Sequence, residues 1–447
     1  MPPTFAKAAA ARAWPSLAAV LFAPALLLTP AHAAPPAQPR LVGFARMPAA
    51  TFADGPTSGQ FANPNPYGTN VPPYAGKQPV QGFSAVLPGP QRDTFRFMCD
   101  NGFGAKANSA DALLRVYTVA VDFRTRSGGS GTASPADWKT GRAVSAFDGS
   151  TRITLNDADQ QIGLPIQADL TRYYGDASKP EVDASIRSGR LLTGADLDIE
   201  SMRRDARGNL WFGDEFGPYL VKTDPQGKVL RAAIPLPGVF APENAMVLAG
   251  TATANLAGSG GFEGMALNAS GTKLLTLLEK TVAGDAPRTL RIDEFDLASE
   301  AYTGTRYLYA LEPDGTAIGD MTAVDDERYV VIERNGGTAT AASPAPFKKL
   351  YLIDLRGVAP GGTVKKTELV DLMNLRDPHD LDGDGSTTYT MPYVTIEDVL
   401  VLDARTLLIV NDNNFPYGGG RALASDDTEF VKVRLPRDAL ARTAKSR

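Results

Sequence analysis

One pattern constrains this chain more than any other: a two-part unit returns five times. An apolar stretch carries one polar or acidic residue, a turn follows, and a second apolar run ends on an acid. Ser84 in Gly82-Phe83-Ser84-Ala85-Val86 leads to Asp100, Glu200 to Glu215, Glu263 to Glu279, Asp320 to Glu333, and Glu397 to Asp412. The internal spacings are 16, 15, 16, 13 and 15 residues, which suits two short antiparallel strands joined by a turn. Turn chemistry sits where it is needed, as in Asp205-Ala206-Arg207-Gly208 and Asn268-Ala269-Ser270-Gly271. Further strand-like runs follow several units, so each repeat holds three or four strands over roughly 60 residues, the signature of an all-β propeller.

The unit starts lie 116, 63, 57 and 77 residues apart. The first interval is about twice the others, so six blades are expected, with five the close alternative. A strand near Leu41 is expected to complete the last blade beside Phe430 to Leu435 and close the ring. The expected domain plan is a leader over 1–33, a Pro/Asn-rich segment over 34–80 that includes the closing strand, a propeller over 81–437 and a tail over 438–447. In the leader, Lys7 and Arg12 precede an apolar stretch, and Ala31-His32-Ala33 fits a small-x-small cleavage site. A periplasmic or secreted protein beginning near Ala34 is the expectation. No later segment reaches about 18 apolar residues, so no membrane span is expected.

Acids outnumber bases, 50 to 45. That balance disfavours a nucleic-acid partner, which would require a basic face. A single cysteine, Cys99, excludes an internal disulfide framework and multi-cysteine metal sites. There are only two histidines, His32 and His379. No G-x-S-x-G elbow is present, and the glycine-rich stretches match neither a P-loop nor a dinucleotide fingerprint.

The run Gly194-Ala195-Asp196-Leu197-Asp198-Ile199-Glu200, the later Leu210-Trp211-Phe212-Gly213-Asp214-Glu215-Phe216-Gly217-Pro218, Gly261-Phe262-Glu263-Gly264-Met265 and the closing Asn411-Asp412-Asn413-Asn414-Phe415 together resemble the phytase-like family known as "esterase-like activity of phytase". The resemblance spans nearly all of the chain after the leader. It implies an exported β-propeller acting as a phosphoester or carboxylester hydrolase. The calcium-dependent propeller phytases are less similar, and none of their residues is carried over.

Equivalent blade starts converge on a propeller axis. Glu200, Glu263, Asp320 and Glu397 are therefore expected around one channel, with Asp100, Asp198, Asp214, Glu215, Glu279, Glu333, Asp412 and Asn414 as its further lining. Two carboxylates ~6 Å apart repel by roughly 3 kcal/mol at an effective dielectric of ~20, so such a ring must be protonated, paired or bound to a cation. Lys280 and Arg334 are the expected pairing groups. An excess of carboxylates without histidine suits an oxygen-seeking ion, Ca²⁺ before Mg²⁺. A second calcium candidate is Asp380-Leu381-Asp382-Gly383-Asp384-Gly385, which matches the first half of a D-x-D-x-D-G loop but has Met391 at the twelfth position.

The resulting expectation is calcium-dependent hydrolysis of a small phosphate ester. Glu200 or Glu263 would orient water, while Arg334 or Lys280 would meet the phosphate charge. A carboxylester or lactone hydrolase using the same centre, and a non-catalytic binding propeller, are the alternatives.

Overall fold

The computed structural model describes residues 38–442. The leader expected over 1–33 lies outside these. Four-stranded antiparallel sheets run from Ile199–Arg204 through Leu210–Asp214 and Tyr219–Thr223 to Ile234–Pro235, from Gly264–Leu267 to Ala301–Ala310, and from Ala317–Ala323 to Lys365–Asp371. These are the second, third and fourth blades. The first blade has Phe83–Pro88 innermost, then Thr94–Cys99 and Arg115–Asp122. In the fifth, Asp398–Asp403 is innermost, Thr406–Val410 and Thr428–Arg434 follow, and the N-terminal strand Arg40–Met47 is outermost. That closing strand pairs antiparallel with Thr428–Arg434, from Arg40 opposite Arg434 to Met47 opposite Thr428. A propeller is thus closed by pairing the two ends of the described chain.

The five innermost strands contact one another in a closed cycle, and among the described residues there is no sixth. Six blades were expected because the first interval is so long. The structure instead uses its strands as the outer part of the first blade: Arg115–Asp122 pairs with both Thr132–Pro135 and Arg152–Thr154. The remainder is an excursion whose Ile162, Ile166, Val182 and Ile186 pack into the apolar layer between the first two blades.

Core packing follows from strand alternation, since successive side chains point to opposite sheet faces. Leu407 and Ile409 enter the layer shared with the fourth blade, whereas Leu408 and Val410 enter the layer shared with the first. One apolar layer lies at each of the five blade interfaces. Trp211 is core between the second and third blades, and Cys99 is buried between the fifth and first. No helix among the described residues is long and apolar enough to cross a membrane.

Candidate functional site

Near the start of each blade, one residue stands at the same place beside the strand pairing. In the first and second blades Ser84 and Glu200 are skipped between paired neighbours, and in the third and fifth Glu263 and Glu397 immediately precede the first paired residue. In the fourth blade Ile318 pairs with Glu333, so the equivalent residue is Gly319, and the equivalent of the closing acid is Arg334. The expectation for this blade was out of register by one residue, and a one-residue slip turns a side chain to the other face. Gly319 is needed there, because a Cβ would lie 2.2 Å from the Ile396 carbonyl oxygen. The fourth blade therefore contributes space and a cation where acids were expected.

Glu333 is accordingly not a channel residue. Its carboxylate receives the Tyr309 hydroxyl at 2.6 Å and the Lys366 ammonium at 2.7 Å, both from outer strands of the third and fourth blades. Asp320 is displaced as well. It pairs with Arg203 at 2.6 Å, and burial opposed by that guanidinium leaves its pKa at about 6. Asp398, unremarked in the sequence, lies near this pair with neither carboxylate oxygen bonded, and burial, then Asp320 and Asp412, push its pKa well up. Asp214 is a turn anchor: it accepts the Asp198 and Gly217 backbone N–H groups, and burial raises its pKa to about 7.

The remaining acids divide into two groups with opposite electrostatic situations. Arg334 donates through Nη2 to Glu263 at 2.9 Å, Glu397 at 2.9 Å and Glu279 at 3.3 Å. Ser84 donates to the other oxygen of Glu397 at 3.0 Å, and Lys280 meets Glu279 at 2.7 Å. Burial alone would lower the Arg334 pKa, but the carboxylates of Glu263, Glu397 and Glu279 outweigh it and hold the guanidinium charged. Burial raises Glu263 and Glu397 well above the usual range despite this partner. Lys348, also missed in the sequence, is buried nearby; burial, then Arg334, brings its pKa down to about 7.

The second group has no such cation. Asp198 immediately precedes the inner strand of the second blade, Glu200 is the unpaired residue near its start, and Glu215 immediately follows the adjacent strand. Carboxylate oxygens of these three lie within 4.8 Å of one another. Asp198 Oδ1, Glu200 Oε2 and Glu215 Oε1 are buried without a hydrogen-bond partner. Burial, then Asp198 and Glu397, raise Glu200 well above the usual range; burial, then Glu279 and Glu263, raise Glu215 well above it against an opposing pull from Lys280; and burial also raises Asp198. A cluster of three buried carboxylates, each with one orphaned oxygen, is the donor set that a hard divalent cation takes. Ser259 Oγ stands 3.4 Å from the other oxygen of Asp198.

Asp100 and Asp412 complete the rim. Asp100 accepts the Gly102 N–H; burial, then Asp412 and Asp198, raise it well above the usual range. Asp412 accepts from Thr395 and from the Asn414 backbone, with burial raising its pKa to about 6. The Asn414 side chain donates to Thr395 Oγ1, so Asn414 supports Asp412.

Away from the axis, a second acidic cluster brings Asp380 and Asp382 together with Asp377 rather than Asp384. Asp384 accepts the Ser386 N–H instead. Asp377 stood just ahead of the expected motif, and its carboxylate also accepts the Leu381 backbone N–H. The neighbouring Arg124 guanidinium donates to the Leu381 carbonyl. His379 is exposed on this loop, away from the axial acids.

A family model described as phytase-like, "Esterase-like activity of phytase", matches residues 78–415. The chain belongs to this phytase-like family. No curated protein matches it significantly. Among solved structures, the periplasmic gluconolactonase of Pseudomonas aeruginosa is 13% identical, covering 88% of this chain and 99% of its own, with a TM-score of 0.34. The GH43 endo-arabinanase of Bacillus licheniformis is 11% identical, covering 79% and 95%, also at 0.34. A luciferin-regenerating enzyme is 10% identical, covering 79% of each chain at 0.34. Superpositions this loose carry no argument, and the phytase-like assignment rests on the family match.

Proposed function

We propose that this phytase-like protein is an exported hydrolase of ester bonds, phosphate esters first, working at Asp198, Glu200 and Glu215 with a divalent cation, calcium before magnesium. The observation that carries the reading is the set of three orphaned, buried carboxylate oxygens on one blade. Such groups cost free energy unless protonated or bound to a cation. When bound, the cation supplies Lewis acidity to the ester oxygen. Glu263, held by Arg334 at 2.9 Å, orients the attacking water. Lys280, about one-third exposed beside Glu279, meets charge developing on the ester. Arg334, spent on three carboxylates, positions the acids rather than meeting substrate.

One observation favours carboxylesters or lactones as the second reading. Arg334 is spent on three carboxylates and Lys280 is shared with Glu279, so the axis offers little positive charge to hold a phosphate beside the cation. The lesser part of the proposal is a calcium at the 380–384 loop, with Asp377 as an added ligand.

The test is nitrophenol release from matched phosphate and acetate esters by residues 34–447, each with calcium and with chelator. Cation-dependent phosphate turnover lost in Glu215→Gln supports the first reading, and acetate turnover with the same dependence supports the second. Calcium binding by calorimetry without turnover of either class sinks both and leaves a binding propeller. For the export reading, the N-terminus of the protein recovered from the periplasm or medium is expected at Ala34.

A further inference from the structure

Beside the acid group, between the second blade and the excursion of the first, is a cavity of about 460 Å³ whose walls are mostly apolar: Leu164, Tyr173, Phe216, Tyr219 and Leu248. Its volume falls within the range of small-molecule sites. Leu248, on its lip, is 64% exposed.

The cavity is joined to the candidate centre by chain. Phe216 directly follows Glu215, and Asp196 of its wall precedes Asp198 by two residues. Glu243, also in the wall, comes within 2.8 Å of where a Cβ on Gly258 would stand, next to Ser259 and its contact with Asp198.

Its polar end is internally balanced. Lys106 donates to the Ala195 carbonyl and, at 3.2 Å, to the Tyr174 hydroxyl. The ammonium also lies 4.7 Å from the Tyr174 ring centre and 5.2 Å from that of Phe216. The carboxylates of Asp196 and Glu243 act on Lys106, so this end holds no surplus positive charge for a phosphate. Tyr174 itself has φ 40°, in the left-handed region that a bulky side chain rarely adopts. Its hydroxyl, bonded to the Ala195 carbonyl at 2.7 Å and Asp196 at 3.0 Å, holds the ring against the cavity. Backbone strain of this kind concentrates at ligand clamps.

We propose that this cavity is the subsite for the hydrocarbon part of the substrate, an uncharged aryl or bulky alkyl group whose ester linkage reaches Asp198, Glu200 and Glu215. The inference rests on the hydrolase reading and narrows its substrate. A polyphosphorylated alcohol does not suit these walls, while an aryl or alkyl monoester does.

The probe is 2-naphthol, followed by its fluorescence on titration with the full chain. Saturable binding is expected, weakened at least about tenfold in Ala249→Trp, which fills the cavity from an exposed wall position. Leu248→Glu, also on an exposed residue, gives the same loss by placing a charge at the lip, should the tryptophan variant not fold. The second arm is hydrolysis of naphthyl phosphate and naphthyl acetate against methyl phosphate and methyl acetate. Within an ester class, the ratio of naphthyl to methyl kcat/KM is expected to fall at least about tenfold in the same variants. Absent or non-saturable 2-naphthol binding, or binding indifferent to both substitutions, overturns the subsite. Binding that responds to the substitutions, without ester turnover, leaves the subsite standing and removes the hydrolase reading.

Discussion

Arg334 gives the most demanding test of the axial electrostatics. One guanidinium nitrogen serves Glu263, Glu397 and Glu279 at 2.9, 2.9 and 3.3 Å, in a buried setting. At an effective dielectric of ~20, a single contact of this length is worth roughly 5 kcal/mol of Coulomb energy, most of which offsets desolvation and the repulsion among the acids. Arg334→Met removes the attraction and leaves the acids, so the loss resembles a broken buried pair, about 3–5 kcal/mol. With an unfolding entropy of ~2 cal/mol/K per residue over roughly 400 residues, Tm should fall by about 4–6 °C.

The deficit should also depend on pH in a defined direction. Glu263 and Glu397 have raised folded pKa values, so the folded state keeps protons that the unfolded chain releases. Stability from such groups is complete below the unfolded pKa and is lost as pH rises through the folded value. Without Arg334 both values rise further. The variant should therefore suffer most near about pH 8 and recover below about pH 4, under the unfolded pKa, where its carboxyls are neutral in both states. The assay is thermal unfolding by near-UV circular dichroism across pH, with Arg334→Met/Glu263→Gln recovering part of the loss. A Tm within about 1 °C of wild type near pH 8, or a deficit that grows on acidification, would refute the reasoning.

Three further outcomes follow from the geometry. Asp398→Asn should stabilise the protein at alkaline pH, since both buried oxygens of Asp398 lack partners and its folded pKa is raised. The gain should shrink by about 1.4 kcal/mol per pH unit as pH falls between the raised folded value and the ordinary one, as urea unfolding would show, and a pH-independent gain contradicts it. Asp198→Asn should abolish most of the rise in Tm that a divalent cation produces. In wild type that rise corresponds to about 2.7 kcal/mol at a hundredfold excess over Kd, and equal rises in both proteins would place the cation elsewhere. Gly319→Ala should cost about 1–3 kcal/mol by urea denaturation, because its Cβ meets the Ile396 carbonyl, whereas Gly336→Ala, with nothing within 4 Å, should be near neutral; equal effects would count against the close approach.

Much of this protein was legible along the chain because strand structure is periodic and local. Leu407 to Val410 read as a strand with two buried faces, and the repeat of such runs with acids at their ends implied blades around an axis. The closing role of the strand near Leu41 was also legible, since a ring needs its ends joined. The number of blades was not. Arg115–Asp122 and Arg152–Thr154 look like part of another repeat until their partners are known, and pairing between distant segments leaves no local trace.

Register in the fourth blade was the other loss. The pattern led to Asp320 and Glu333, but an irregularity between Ile318 and Met321 shifts the alignment by one residue and substitutes Gly319 and Arg334. Sequence by itself determined that many carboxylates would meet at an axis with few cations to neutralise them. Tertiary structure alone decided how they divide, with Arg334 reaching Glu263, Glu279 and Glu397 while Asp198, Glu200 and Glu215 are left unpaired. The physical reason is range: strand alternation acts over two residues, whereas charge pairing is set by distances across blades that only the closed ring establishes.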